Sequence, residues 1–236
     1  TTKDCDAMIA EAKKRGLLLT TYHNRHWDGC VLEALKQIKR QKAIGEVYRV
    51  EAHIGGYGQP GDWWRSSKSI SGGIMYYWGV HLLEYALQII DDDMTEVTGY
   101  AKTGFWASKT AWKKDTNEDV ASAVVRFKSG KWLTLTVSSL ESNPKAGQLE
   151  ISGTKGSYVF DGGTFELIQQ DGDRKVTTKG KNTESLWPKF YKNVADHLVK
   201  GTKLVITPEW ARRPIHILDL AGQSIKKGSA LKTTYK

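Results

Sequence analysis

Strand segments that come in turn-linked pairs constrain this fold more than any other feature. The stretches DVASAVVRFK and KWLTLTVSSL are separated only by Ser129-Gly130, the position of a β-hairpin turn. Apolar residues alternate along both stretches, at Ala121, Ala123, Val125, Phe127, Leu133, Leu135 and Val137. QLEISGTKGSYVF and TFELIQQDGDRKVTT have the same turn-linked pattern. The sequence therefore predicts a mostly antiparallel sheet with one covered face.

Helical patterns stand before and after these strands. Apolar residues recur at helical spacing in DGCVLEALKQIKRQKAIGE, GGIMYYWGVHLLEYALQII, ESLWPKFYKNVADHLVKG and TPEWARRPIHILDLAGQSIKKG. A single alternating segment, EVYRVEAHI, lies between the first two helices and predicts one more strand. Strands in hairpins, flanked by helices, favour an α+β fold with an open sheet and helices on one face.

The first residues of the chain have a different pattern. KDCDAMIAEAKKRG predicts a helix that ends at Gly16. LLLTTYHN follows as an apolar segment, which is typical of a strand buried on both faces. One helix and one such strand cannot form a doubly wound domain alone. We therefore interpret them as the last pieces of one.

Composition and charge exclude some classes of function. Of the 236 residues, 39% are hydrophobic and 26% are charged, as in an ordinary globular protein. We find no apolar run long enough to cross a membrane, no N-terminal signal peptide and no nucleic-acid-binding motif. The formal net charge of +9 suits an acidic substrate, or simply solubility. Two unpaired cysteines favour a reducing compartment, and we expect a cytoplasmic protein, although an upstream export signal stays open.

The uncovered face of the predicted sheet is polar but rich in residues that favour strands. We weigh two interpretations equally: this face binds a second copy of the chain, or it faces solvent. The residues that define it are Ser122, Arg126, Thr134, Thr136 and Ser138.

Residues 56–61, GYGQPG, have the G-x-G-x-x-G spacing of a dinucleotide-binding loop. Such a loop must open a helix whose N–H groups meet the pyrophosphate. The following DWWRSSKSISGG has no helical stripe, and Pro60 removes one donor. We interpret the segment as a glycine-rich turn.

The best candidates for chemistry are Tyr77, His81 and Tyr85, spaced four apart on one predicted helix face. An imidazole titrates near neutral pH and suits general acid–base catalysis, and Tyr77 is placed to share a proton with it. The alternative is that the histidine and tyrosine are hydrogen-bonded residues at the edge of an amphipathic helix and have no catalytic role. Aromatic rings such as Trp63 and Trp64 suit the C–H faces of sugars, but they are also common in cores.

A metal site is the remaining possibility. His23 and His26 form H-x-x-H, and His53 and His81 lie elsewhere in the chain. A zinc site needs three or four convergent ligands, and two histidines three apart at a strand end converge poorly. We therefore assign no metal ligands.

Five segments stand out in order along the chain: YHNRHWDG, IGEV, SGGIMYYWGVHLLE, LEISGTKGS and ITPEWARRPIHILDLAGQSIKKG. In these segments and their order, the whole chain resembles the Gfo/Idh/MocA oxidoreductases. The resemblance implies that residues 1–23 end a Rossmann domain and that residues 24–236 form a substrate-binding and oligomerisation domain. The glycine fingerprint and the Glu-Lys-Pro lysine of the family would lie upstream of Thr1.

The resemblance also implies functional residues. His81 matches the catalytic histidine of the family, whereas Tyr77 stands where an aspartate is usual. Asn24 and Arg25 match a motif near cofactor and substrate, and Trp64 and Arg65 match a loop that reaches the substrate.

The implied activity is hydride transfer between NAD or NADP and a sugar, polyol or related hydroxyl compound, by a homo-oligomer in its full-length form. The chain without its upstream part is expected to be inactive. Two alternatives stay open: a non-catalytic sugar-binding and oligomerisation module, and a sugar lyase or hydrolase that uses a metal held by His23, His53 and His81.

Overall fold

A nine-stranded sheet organises residues 1–235, which are the residues described by the computed structural model. The strand order is β8-β7-β6-β5-β1-β4-β3-β2-β9. Every neighbouring pair is antiparallel except β1 and β4, which run parallel. The strands are β1 Val47–Gly55, β2 Met94–Lys102, β3 Val120–Phe127, β4 Trp132–Ser138, β5 Leu149–Gly153, β6 Gly156–Phe160, β7 Thr164–Asp171, β8 Arg174–Lys181 and β9 Leu231–Tyr235.

Helices cover one face of this sheet. The helices are α1 Thr2–Arg15, α2 Gly29–Leu35, α3 Lys68–Ser71, α4 Met75–Ile89, α5 Pro188–Lys200 and α6 Pro208–Lys227. A 3-10 turn, Asn24–Trp27, precedes α2, and a π-helical turn, Lys36–Arg40, follows it. α4 packs on β1 and β4, and α6 packs on β2 and β3. The predicted α+β fold with a mostly antiparallel sheet is confirmed.

The core lies between α4, α6 and the covered sheet face. The alternating residues of β3 and β4 point into it, and Ala123, Val125, Leu133 and Leu135 are fully buried. Such burial of apolar surface is the main driving force of folding. Gly79 of α4 lets the helix approach closely, since a Cβ there would lie 2.9 Å from Leu135 Cδ2. This close approach fixes α4 against β4.

The strand expected at the start of the chain does not form. Residues 17–23 form neither a helix nor a strand and pair with no strand among residues 1–235, and Leu17 and Leu18 are exposed. An apolar segment becomes a strand only where a neighbour accepts its backbone hydrogen bonds. β9, in contrast, was not predicted and extends the sheet beside β2. The helix before residues 17–23, α1, forms as predicted and is capped by Thr1 and Gly16.

The opposite face of the sheet carries polar side chains and no helix packs on it in the described structure. Ser122 and Thr136 are joined across β3 and β4 by a 2.9 Å hydrogen bond between their hydroxyls. Arg49, Glu51 and Glu150 add charges on the neighbouring strands. That this face binds a second copy of the chain stays a prediction. No helix within residues 1–235 is both long and apolar enough to cross a bilayer.

Candidate functional site

The first turns of α4 carry the candidate site. Gly72 and Gly73 precede the helix with positive φ values of 89° and 125°, which favour glycine. The Ile74 N–H donates to Glu118 Oε2 at 3.1 Å, and Lys68 forms an ion pair with Glu118 at 2.7 Å. Glu118 therefore fixes the start of α4. Because Gly79 faces the sheet, Tyr77, Trp78 and His81 lie on other sides of the helix.

A wall of aromatic rings and one guanidinium lies at this end of α4. The Arg65 Cζ lies 4.2 Å from the Tyr77 ring centre, 4.9 Å from that of Trp63 and 5.1 Å from that of Trp64. We call these four residues the aromatic–arginine wall. Trp64 and Arg65, assigned to the substrate from the resemblance, are thus brought together with Tyr77, assigned to catalysis.

Hydrogen bonds to Asn117 fix the backbone of the loop that carries Arg65. Asn117 Nδ2 donates to the Arg65 carbonyl at 2.7 Å, and the Asn117 N–H donates to the Ser66 carbonyl at 2.9 Å. The Ser71 hydroxyl donates to Asn117 Oδ1 at 3.1 Å, so the side-chain oxygen of Asn117 is also bonded. Asn117 is buried, so these bonds hold the backbone of the wall in one position.

His81 lies one helical turn beyond Tyr77 and is half-buried. Its ring is 5.8 Å from the Trp78 ring, edge to face, and its Nδ1 atom is buried without a hydrogen-bond partner. Burial, reinforced by the positive charge of Arg25, lowers the pKa of His81 to about 4. The imidazole is therefore neutral at pH 7 and can accept a proton.

Tyr77 and His81 do not form the proton-sharing pair that their spacing predicts. The Tyr77 ring stacks under Arg65 and is 44% exposed, and no hydrogen bond joins its hydroxyl to His81 within the described part of the chain. Tyr85, placed on the same face by its spacing, is buried and donates instead to Asp28. A catalytic role for Tyr77 stays a prediction.

Arg25 approaches His81 from the 3-10 turn. Its guanidinium lies 4.8 Å from the Trp78 ring centre, and its Nη1 donates to Asp28 Oδ2 at 3.1 Å. Asp28 is buried and also accepts hydrogen bonds from the Tyr85 hydroxyl and Trp187 Nε1. The positive charge of Arg25 is therefore compensated by a fixed carboxylate. Asn24 begins the same turn, is half-buried and has no side-chain partner in the described residues.

A second buried carboxylate lies beneath this turn. Glu84 is fully buried, accepts from His26 Nδ1 at 2.6 Å and accepts from Trp210 Nε1 at 2.8 Å. His23 Nδ1 lies 3.4 Å from the same carboxylate. Burial alone would raise the pKa of Glu84, but the two histidines lower it to about 2. Sequence reasoning did not assign Glu84 or Asp28, although a glutamate inside the apolar run LLEYALQII is itself a signal.

The four histidines of the metal alternative are not gathered in one place. His23 and His26 contact Glu84, whereas His53 lies on β1 with its Nε2 2.6 Å from Glu141 Oε2. Within residues 1–235, no three His, Cys, Asp or Glu side chains are arranged to hold a metal ion.

The glycines of residues 56–61 do not form a phosphate cradle. The Gly56 N–H donates to the Ser138 carbonyl at 3.2 Å, and the Gly58 N–H donates to the Ser139 carbonyl at 3.1 Å. No helix begins at Gly61. Two of the amides that a pyrophosphate would need are therefore already bonded to carbonyls, which agrees with the interpretation as a turn.

Residues 32–159 match the family model described as the GFO/IDH/MocA C-terminal domain. The chain belongs to the Gfo/Idh/MocA family. The matched segment includes α4, His81 and the aromatic–arginine wall. The family assignment made from the motifs is confirmed, whereas the roles of single residues stay predictions.

Two Gfo/Idh/MocA relatives are oxidoreductases that are themselves uncharacterized. One, from Schizosaccharomyces pombe, is 26% identical over 190 residues, which is 78% of this chain and 50% of the relative. The other, YdgJ from Escherichia coli, is 25% identical over an alignment that covers 97% of this chain and 69% of the relative. The chain thus spans half of the first relative and about two thirds of the second.

Solved structures share the fold at low identity. An NAD-binding protein from Listeria innocua has a TM-score of 0.80 at 22% identity, covering 99% of this chain and 68% of that protein. An aldose–aldose oxidoreductase from Caulobacter crescentus, complexed with glycerol, has a TM-score of 0.78 at 19% identity, covering 99% of this chain and 69% of that protein. These similarities show a shared fold over nearly the whole chain.

Proposed function

We propose that the full-length protein transfers hydride between NAD or NADP and a hydroxyl group of a sugar, polyol or related compound. The observation that carries the proposal is His81, a half-buried imidazole with an unpartnered Nδ1 beside an aromatic–arginine wall, in a chain of an oxidoreductase family. The Listeria innocua protein is described as NAD-binding, and the Caulobacter crescentus protein is described as an aldose–aldose oxidoreductase.

We also propose that residues 1–23 end a dinucleotide-binding domain and that residues 24–236 form the substrate domain. α1 has no buried residues, and the apolar side chains of Met8, Leu17, Leu18 and Tyr22 are exposed. Apolar side chains grouped on one segment are usually covered by another part of a protein. A preceding domain would cover these side chains. It would also supply hydrogen-bond partners for the backbone of residues 17–23.

The described residues fit the nicotinamide end of a dinucleotide but not its pyrophosphate. Asn24 offers an unpaired amide, and His81 offers an unpaired ring nitrogen. Asn24 and Arg25 would hold the nicotinamide side of the cofactor. A bound nicotinamide would supply the acceptor or donor of two electrons.

The residues of this chain would bind the substrate and transfer the proton of its hydroxyl group. The aromatic–arginine wall would stack against the substrate and hold its polar groups. His81, neutral at pH 7, would accept the proton of the substrate hydroxyl during oxidation and return it during reduction. The fixed backbone behind Arg65 and the Arg25–Asp28 pair keep these groups in place before substrate arrives.

The test is nicotinamide-linked turnover by the full-length protein. We expect reduction of NAD or NADP with at least one compound from a panel of aldoses, aldonates, uronates and inositols, measured by the absorbance of the reduced cofactor against reactions without the sugar. Absence of turnover with every compound, together with no binding of either cofactor by calorimetry, would contradict the proposal. His23 and His53 bind different carboxylates, so no observation favours the metal-dependent lyase.

We further propose that the polar sheet face binds a second copy of the chain. Its hydroxyl-rich strands β3 and β4 lie inside the sheet, between β1 and β2, and α4 and α6 pack on the opposite face of these strands. We expect light scattering to give at least a dimer, and Thr136→Arg to lower the measured mass to that of one chain. Thr202→Arg, at an exposed turn between α5 and α6, is the control and should leave the mass unchanged. A monomeric wild-type protein at high concentration would refute this interface.

A further inference from the structure

The Arg65 guanidinium differs from the other arginine beside the site in having no carboxylate partner. Arg25 donates to the buried Asp28, which compensates its charge. No Asp or Glu within residues 1–235 lies in ion-pair range of Arg65. Two acids of the surrounding loops are already bonded, since Asp62 accepts from the Ala111 N–H and Asp115 accepts from Ser67 and Ser69.

The surroundings of Arg65 hold its guanidinium in a position where it can bind a ligand. Three aromatic rings lie around the guanidinium at cation–π distance, and no residue in the described part of the chain accepts a hydrogen bond from its N–H groups. These N–H groups form a planar fork that fits a carboxylate or a phosphate bidentately. Its backbone is fixed by Asn117, so little motion has to be lost when a ligand binds.

We propose that the substrate carries an anionic group, a carboxylate or a phosphate, which binds the free edge of Arg65. This inference rests on the proposed function for the location of the site and adds the chemical class of the substrate. Tyr77 would contribute a ring face, and the uncharged phenol leaves the site without the negative charge that an aspartate at this position would bring. The formal net charge of +9 agrees with attraction of an anion.

Calorimetric titration of the full-length protein with matched sugars tests the proposal. The probes are glucose and inositol as neutral compounds, glucuronate and gluconate as carboxylates, and glucose 6-phosphate. We expect at least one anionic probe to bind about 10-fold or more tightly than the neutral ones, with an affinity that falls as salt is raised. Arg65→Gln should remove this preference. Arg126→Gln, in an exposed pair with Glu96 on the sheet, is the control and should retain it.

A second variant distinguishes carboxylate from phosphate binding. It also controls for the possibility that Arg65→Gln disrupts the packing of the aromatic–arginine wall. Arg65→Lys keeps a point charge but loses the planar fork, so it should retain phosphate binding and lose most carboxylate binding. Retained binding of one class by Arg65→Lys supports the proposal even where Arg65→Gln lowers the melting temperature. Equal affinity for neutral and anionic probes, or anion binding unchanged in Arg65→Gln, would overturn it. Anion binding through Arg65 without any turnover would leave this inference standing and refute the oxidoreductase activity.

Discussion

His81→Ala is expected to lower kcat about 10²–10⁴-fold with little change in KM, the range for loss of a general acid–base group. The imidazole is the only neutral base that the first turns of α4 offer within the described chain, and its Nδ1 has no other partner. Steady-state kinetics of the full-length protein on its best substrate measure this effect. His197→Ala, at a half-buried histidine of α5, is the matched control and should keep full activity. Activity of His81→Ala within about twofold of wild type would remove His81 from the mechanism.

The same residue predicts an unusual pH profile. Because burial lowers the pKa of His81 to about 4 from its usual value of 6.5, its proton-accepting form persists well below neutral pH. We expect kcat/KM to stay high down to about pH 5 and to fall only as the pH approaches 4. Circular dichroism at each pH would show that the protein is still folded. A decline centred near pH 6.5 would mean that His81 titrates normally or is not the base.

The sequence patterns predicted local structure well where the partner strand was close in the chain. The hairpin of β3 and β4 and the two later strand pairs follow from alternation and short turns. Residues 17–23 have an equally clear apolar pattern, but a strand also needs a neighbour, which no local pattern reveals. β9 was missed for the related reason that its partner, β2, lies far away in the chain.

The candidate site shows the same division between local and distant contacts. Tyr77 and His81 could be placed on one helix from spacing alone, and family resemblance supplied Arg25 and Arg65. Spacing could not show that Tyr77 stacks under Arg65, or that Tyr85 turns into the core to bond Asp28. Those contacts depend on how three separate segments pack, and only the structure brings them together. The contacts of Asp28 and Glu84 could therefore not be predicted from motifs, although a glutamate in an apolar run does indicate a buried carboxylate.

Removal of the Glu84 carboxylate should have the largest effect on stability. Glu84 is fully buried and joins three elements, since His26 and His23 belong to the turn before α2 and Trp210 belongs to α6. Glu84→Ala would leave His26 Nδ1 and Trp210 Nε1 without their acceptor, so we expect the free energy of unfolding to fall by about 3–5 kcal/mol. Urea unfolding followed by tryptophan fluorescence measures it. Glu166→Ala breaks an exposed pair with Lys179 and should cost less than about 1 kcal/mol.

Acid should weaken the protein through the same carboxylate. The histidines hold the pKa of Glu84 at about 2 in the folded protein, below its usual value of 4.5. A lowered pKa means that its contribution to stability is complete above pH 4.5 and is lost as the pH falls toward 2. Wild type should therefore lose stability over this window, and Glu84→Gln, which cannot titrate, should lose less. Equal slopes of unfolding free energy against pH in the two proteins would show that Glu84 is not the group that anchors the turn carrying Asn24 and Arg25 to α4.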